Sequence, residues 1–419
     1  MKHFLFSTLC STAFLSLMGA CTDFKGQKKD NQQMESLSDV PEVNIRPDKH
    51  VSLNTKDFID SVQYIALETT HESEFGEISQ IQIAGDFFVI LDKFTNEILF
   101  FRKNGGFVRK ISAQNDDIPI PFKSILKFTI DTENEILSFP DALSPYIYEF
   151  DLLGNFIKTR KKEPVDYTIR ESHYLNTFKI DYFSYDNSMA KKPQGRSITV
   201  TENGRENASY LYFDPSVIDQ DDVYGARKYF FQSTEQLLFS RPYDYTIYTF
   251  GDNGEMNAYL QISLPENLRI PSDFLTSNKY SSKRRAYTND NKSRVYLITD
   301  VYKTGKILYF KLIGSKYIKT LLYDLNTDVL INFRNYLSDS STLYLPIAGT
   351  DVLGVDNNRL ISVIPSTRMI QALNTNISIS GYLASLPDHL REYYKRGNNQ
   401  NPVLVLTKLK KSINYETDS

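Results

Sequence analysis

Apolar and polar residues alternate along this chain in short runs, and one run is repeated. Ile98, Phe101, Gly105 and Phe107 return as Ile147, Phe150, Gly154 and Phe156, and again as Ile247, Phe250, Gly254 and Met256. The internal spacing is constant: an apolar residue, an aromatic three on, a glycine four on, an apolar residue two on. Period-two alternation predicts a strand, and the Asn-Gly or Leu-Gly that follows predicts its turn. Glycine suits the positive φ that such turns require. One hairpin cannot bury both of its faces, so repeated hairpins predict blades stacked around a shared core.

The intervals count the units. Ile98 to Ile147 spans 49 residues and Ile147 to Ile247 spans 100, which leaves room for two repeats. A degenerate copy fits near Tyr210 to Phe213. A weaker one has Tyr323, Thr327 and Val329, with Asp324 to Asp328 as its turn, and a last lies near Leu360 to Leu373. Six units at a mean period near 50 predict an all-β, six-bladed β-propeller with four-stranded blades around a channel. A ring exposes strand edges unless the chain ends meet. Val62 to Leu67 and Val403 to Leu409 are lone strands at opposite ends, predicted to close the last blade together.

Two stretches break the period. Lys158 to Gly204 carries Lys158, Arg160, Lys161 and Lys162 and then two prolines, and reads as a blade with long polar loops. Leu264 to Arg294 reads as a long rim connection with a short helix near Ser272 to Leu275. Its basic cluster Lys283, Arg284 and Arg285 could meet an anionic ligand or lipid, but the simpler reading is a solvated charge run. Ser385 to Gly397 predicts a short helix, started by a Ser or Asp cap with an early proline and stopped by Gly397.

Composition adds little to this picture except at the N-terminus. With 28 Tyr, 27 Phe and no Trp, the aromatics suit pleated, half-buried strands better than a dedicated carbohydrate face. A net charge of −3 gives no electrostatic reason to expect nucleic acid. Residues 1–20 read as a signal peptide, with Lys2 followed by a mostly apolar run from Phe4 to Met18 that is too short to prefer a membrane span. The other cysteine, Cys10, lies inside this segment, so the mature chain would hold no disulfide. Residues 21–44 are polar and charged and read as a flexible tether, leaving 45–419 for the propeller.

Leu17-Met18-Gly19-Ala20-Cys21 resembles the lipobox of bacterial lipoproteins. That resemblance implies cleavage before Cys21 and acylation there, palmitate included, which would hold the protein to a membrane without a spanning helix. Thr22 in place of aspartate is, by resemblance to known sorting rules, compatible with the outer membrane. The lipobox, the opening Val62 to Thr70, the repeated hairpins and the closing Asn401 to Val405 with Lys408-Leu409-Lys410 together resemble one family. It is the six-bladed β-propeller lipoproteins of Bacteroides-type bacteria, related to NHL-repeat propellers. The resemblance implies fold and envelope location, and brings no catalytic motif.

Candidate chemistry is sparse. His50, His71, His173 and His389 stand at no metal-ligand spacing, and no HExxH is present. Calcium needs only oxygen ligands. Asn115-Asp116-Asp117 and Asp219-Gln220-Asp221-Asp222 are the densest acidic turns, read first as hydrated loops. No GxSxG elbow occurs. Asp92, Asp151 and Asp324 sit at strand ends, where turn formation explains them. Gly105-Gly106 is a hairpin turn and not a phosphate loop, because strand residues follow it. The expectation is therefore a non-enzymatic envelope module that binds a protein, peptide or glycan, with no catalytic residue and no cofactor. A calcium-dependent hydrolase or lyase in the channel is the alternative.

Overall fold

A computed structural model describes residues 40–51, 53–115, 117–186, 195–334, 336, 338–348, 351–397 and 399–413. The expected signal peptide, Cys21 and most of the expected tether lie outside the described residues.

The chain enters on the outside of the ring. Strand β1 (Glu42–Asn44) adds in parallel to the outer edge of blade 4, and the helical turn α1 (Thr55–Phe58) leads into β2 (Ile59–Ala66). Part of the segment expected as tether is thus strand: Glu42 to Asn44 find an open strand edge, and propensity alone does not show that.

Blade 1 comprises β3 (Gln80–Ala84), β4 (Phe87–Asp92), β5 (Glu97–Arg102) and β6 (Phe107–Ile111). Blade 2 comprises β7 (Thr129–Asp131), β8 (Ile136–Pro140), β9 (Tyr146–Asp151) and β10 (Phe156–Lys161). Blade 3 is built from β11 (Glu171–Leu175), β12 (Phe178–Tyr182), β13 (Gly195–Glu202) and β14 (Arg205–Phe213). Blade 4 follows with β15 (Phe230–Gln232), β16 (Leu237–Phe239), β17 (Thr246–Phe250) and β18 (Met256–Ser263). Helix α2 (Arg284–Asp290) precedes blade 5, made of β19 (Leu297–Thr304), β20 (Ile307–Ile313), β21 (Ile318–Asp324) and β22 (Leu330–Asn332).

Blade 6 has β23 (Val352–Asp356) and β24 (Arg359–Ile364), then a helical insert of α3 (Ser366–Asn376), α4 (Tyr382–Ser385) and α5 (Asp388–Lys395), then β25 (Val403–Leu409). β25 pairs with β24 on one side and with β2 on the other, so the last blade joins both ends of the chain as expected. The register runs from Ile59 opposite Leu409 to Ala66 opposite Val403.

The repeated glycine has a second task that the sequence pattern does not show. Gly105 turns β5 into β6 at φ +91, and a Cβ there would stand 2.3 Å from the Ala66 carbonyl oxygen. Its own carbonyl accepts the Glu68 N–H at 2.9 Å. Gly254 (φ +74) likewise seats its turn on Phe178 and Val200 of the preceding blade. The motif fastens blade to blade. It also corrects the third unit: the turn is at Gly204, spaced 50 residues from Gly154 and from Gly254, whereas Tyr210 to Phe213 end the outer strand β14. The sixth unit differs too, because Leu360 lies in β24 but Leu373 lies in α3. The fifth turn, Asp324 to Asp328, stands where expected, between β21 and β22.

Aromatics fill the seams between blades. Phe139 stacks on Tyr148 and Phe150 at centroid distances of 5.4 and 5.8 Å, with Phe122 edge-on. Each such ring contributes roughly 1.5–3 kcal/mol by leaving water, so the core accounts for much of the aromatic content.

The long connection Leu264 to Arg294 corrects two expectations. Ser272 to Leu275 form turns, and the helix lies later, at α2. The Lys283-Arg284-Arg285 run is not a solvated face: Arg284 is 0 % exposed. Its guanidinium reaches Asp222 at 2.7 Å and the carbonyls of Phe274 and Val217 at 2.8 and 3.0 Å. Arg285 donates to the Val223 carbonyl. Asp219, in the acidic turn, accepts the N–H groups of Asp221 and Asp222 and starts a 3-10 turn. The helix near the C-terminus is α5, with Pro387 rather than Ser or Asp at its cap and Gly397 (φ +86) beyond its end.

Candidate functional site: the channel mouth

The six inner strands, β3, β7, β11, β15, β19 and β23, all begin at the same end of the channel. The connections between blades and the loops joining each second strand to its third lie there too, as the antiparallel order requires. At the other end the ring is stitched shut on one side. Ser233 Oγ accepts the Lys303 N–H, and Thr234 Oγ1 accepts the Asn358 N–H, both at 2.9 Å, linking blade 4 to blades 5 and 6. Lys103 pairs with Asp356 at 3.0 Å between blades 1 and 6.

At the open end every blade sends a charged side chain toward the axis. Lys93 comes from the β4–β5 loop, Lys127 from the approach to β7 and Glu171 from the start of β11. Arg227 and Lys228 precede β15, Asp300 interrupts β19 and Asp351 precedes β23. Their electrostatic neighbours run round and across the ring: Lys93 feels Arg227, Lys127 feels Glu171, and Lys228 feels Glu171 and Asp300. Only the axis is near all six blades.

These charges are unevenly satisfied. Lys311 pairs with Asp300 at 2.9 Å and with Asp351, and Arg227 lies 3.7 Å from Asp351. Glu171 Oε2 accepts the Tyr229 N–H at 2.6 Å. Lys228 donates to the Tyr302 hydroxyl at 3.1 Å, and that hydroxyl donates onward to the Leu353 carbonyl at 2.8 Å. This chain of bonds fixes the hydroxyl's direction and so orients the ammonium. Among the described residues no carboxylate lies within ion-pair distance of Lys93, Lys127 or Lys228.

Burial pushes the ammonium groups of Lys93, Lys127 and Lys228 below their ordinary pKa. Burial also raises Glu171, against the opposing pull of Lys127, Lys228 and the backbone N–H groups. Desolvation outweighs attraction for both signs, as it does when opposite charges share an enclosure without touching. Deeper in the channel His173 falls to about 4, through burial and then the charge of Lys228, with Gln232 opposing. Its ring lies 5.9 Å from that of Phe230.

The rim beside blades 1 and 2 is apolar and firmly built. Phe94, Leu126 and Leu143 are 90, 53 and 70 % exposed. Their loops are laced together: Asn96 accepts the Ile125 N–H, and Asp141 accepts the N–H groups of Lys123, Ser124 and Leu143. Burial works to raise Asp141, but the nearby Ser144 hydroxyl and the hydrogen bonds from these N–H groups prevail and hold it below the usual range.

A second concavity of about 310 Å³ lies between α5, the end of β2 and the Asn104–Gly106 turn. Its polar groups are engaged. Glu68 accepts the Phe107 N–H, Glu392 pairs with Lys395, and His389 bonds the Tyr64 carbonyl.

The residues that the sequence singles out for chemistry are dispersed. His50 bonds the Pro47 carbonyl, His71 is exposed, and only His173 faces the channel. Asp92, Asp151 and Asp324 accept N–H groups of their own turns, at Phe94, Asn155 and Asn326. Asp116 lies outside the described residues. Lys311 engages the two channel aspartates, and among the described residues no three His, Cys, Asp or Glu side chains cluster as ligands. No mouth residue belongs to a sequence motif. The one signal is register, since Lys127 and Arg227 both stand 27 residues before a turn glycine, Gly154 and Gly254.

Fold and mouth together define a six-bladed β-propeller with an unbalanced cationic channel opening. The chain belongs to the family described as a domain of unknown function, DUF4934, whose profile matches residues 40–408. A Bacteroides fragilis crystal structure, named as that of a candidate exported protein, is similar at 18% identity and a TM-score of 0.66. The match covers 88% of this chain and 99% of that one. A member of the DUF4221 family from Bacteroides vulgatus shares 9% identity over 84% of this chain and 97% of its own, at a TM-score of 0.43. No curated protein matches the chain.

Proposed function

We propose that this propeller is a non-enzymatic binding or scaffold module of the bacterial envelope, lipid-anchored through Cys21 and facing its partner with the channel mouth. The observation that carries the reading is the convergence of charged side chains from all six blades on one opening, beside an apolar rim. Such an opening offers recognition surface for a ligand. A protein, peptide or glycan of the envelope is the class of partner; the lipobox at residues 17–21 supports a lipid anchor, and Thr22 after it is compatible with the outer membrane. Propellers host binders and enzymes alike, so the reading rests on the site and not on the fold.

The test is a photo-crosslinking residue placed at Phe94 on the rim or at Asn326 on the outer turn of blade 5, in the full chain in its own envelope. A discrete crosslinked product from position 94 alone is expected. Equal products from both positions, or none, would overturn the mouth as the binding face. In the same strain Cys21→Ser should abolish palmitate labelling and membrane retention.

A further inference from the structure

The mouth holds more cationic than anionic groups. Lys93, Lys127, Arg227, Lys228 and Lys311 face Glu77, Glu171, Asp300 and Asp351, five cations against four carboxylates. Asp300 and Asp351 are already engaged by Lys311, and Arg227 shares Asp351. Lys127 and Lys228 are left with Glu171 and Lys93 with Glu77, and none of these lies within ion-pair distance. An ammonium has three donors. Lys228 spends one on Tyr302, and neither Lys93 nor Lys127 has a side-chain hydrogen bond among the described residues.

Two of these lysines are each next in sequence to an exposed apolar residue: Lys93 precedes Phe94, and Lys127 follows Leu126. Leu143 stands on the adjoining loop, tied to theirs through Asp141 and Asn96. Charge faces the axis and apolar surface faces outward from the same loops. That arrangement complements a ligand with an anionic head and an apolar flank, and it repels a cation.

We propose that the channel mouth is an oxyanion-binding site in which Lys93, Lys127 and Lys228 hold a carboxylate or phosphate group whose apolar flank rests on Phe94, Leu126 and Leu143. This deepens the binding reading, on which it rests, by naming the chemistry that the mouth recognises. The lowered ammonium pKa values fit a site short of negative charge, which an arriving anion would supply. Partial burial of Lys127 and Lys228 strengthens the attraction relative to a fully exposed lysine, because neighbouring protein displaces solvent that would screen it.

Calorimetric titration of the folded chain with octanoate, octanol and inorganic phosphate separates head from flank, and vesicles with and without phosphatidylglycerol test a lipid surface. Saturable 1:1 binding of octanoate is expected, with phosphate weaker and octanol undetectable. Lys127→Met and Lys228→Met should each weaken octanoate at least tenfold, while Lys395→Met, on α5, leaves it unchanged. Melting curves establish that each variant is folded. Absence of binding by both anions would overturn the proposal, as would equal affinity in wild type and lysine variants. Binding to anionic vesicles alone would also overturn it, since that marks a charged surface and not an enclosed site. A crosslinked partner at Phe94 that survives in Lys127→Met would reject the anion site and keep the binding module. No product at Phe94 in the wild type, together with octanoate binding that Lys127→Met weakens, would do the reverse.

Discussion

Two groups of basic residues in this molecule are easily confused and do opposite things. Lys283-Arg284-Arg285 is conspicuous as a run, yet Arg284 is the most deeply placed cation among the described residues, paired with Asp222 and bonded to four carbonyls. Lys93, Lys127 and Lys228 are scattered through three blades, yet they meet at one opening and pair with no carboxylate among the described residues. Arg284 has its counter-charge built in, and its donors are spent on the loop it holds. The mouth lysines have only part of theirs. A charge that is fully answered inside the protein maintains structure, whereas one held in place but unanswered is available to a ligand.

The largest effect comes from the closure that keeps both groups in place. Deleting residues 400–419 removes β25, the partner of both β2 and β24, along with Asn401, which bonds Thr69, Glu68 and Ser73. Loss of cooperative unfolding by calorimetry is expected, and a truncated protein with an unchanged melting temperature would contradict the clasp. Next in size is Arg284→Met. It leaves Asp222 buried without its cation and should cost about 3–5 kcal/mol in denaturant unfolding. Adding Asp222→Leu should return part of that loss. Additive losses in the two single variants would mean that the pair is not coupled.

How much of this is legible in the sequence depends on range. The hairpins, their positive-φ glycines and the two closing strands are written in contacts a few residues apart, and the pattern at Gly105, Gly154 and Gly254 survives because each turn must also fit the preceding blade. The basic run misleads because its answer, Asp222, lies 62 residues upstream of Arg284. The mouth is hidden for the same reason in stronger form. Lys93, Lys127 and Lys228 share no local motif, and only the closed ring makes them neighbours. Counting 27 residues back from Gly154 and Gly254 reaches Lys127 and Arg227, so the repeat holds a clue that requires a register to use.

The contrast sharpens at smaller scale. Lys127→Met removes a half-buried charge with no carboxylate at ion-pair distance among the described residues. Its stability should therefore stay within about 0.5–1 kcal/mol of wild type or rise slightly. Thermal melts of the variant beside Arg284→Met are the direct comparison. If Lys127→Met proved as destabilising as Arg284→Met, the lysine would be structural and the distinction would fail.

The finest readout is the charge of the mouth itself. His173 has a folded-state pKa near 4 against an ordinary 6.5, so the unfolded chain takes up the proton first as pH falls. Its contribution to stability is fully present above pH 6.5, is lost progressively as pH drops towards 4, and changes no further below that. Glu171 acts with the opposite sign, since its raised pKa contributes stability at low pH that is lost as pH rises. The difference between wild type and His173→Gln isolates the histidine, and its slope over that window should approach one proton. Lys228 is part of the cause, so removing its charge by Lys228→Met should move the His173 ring titration upward in NMR, and so should an anion seated beside it. A His173 titration indifferent to both changes would mean that Lys228 does not project its charge into the channel, and the separation between answered and unanswered cations would lose its central member.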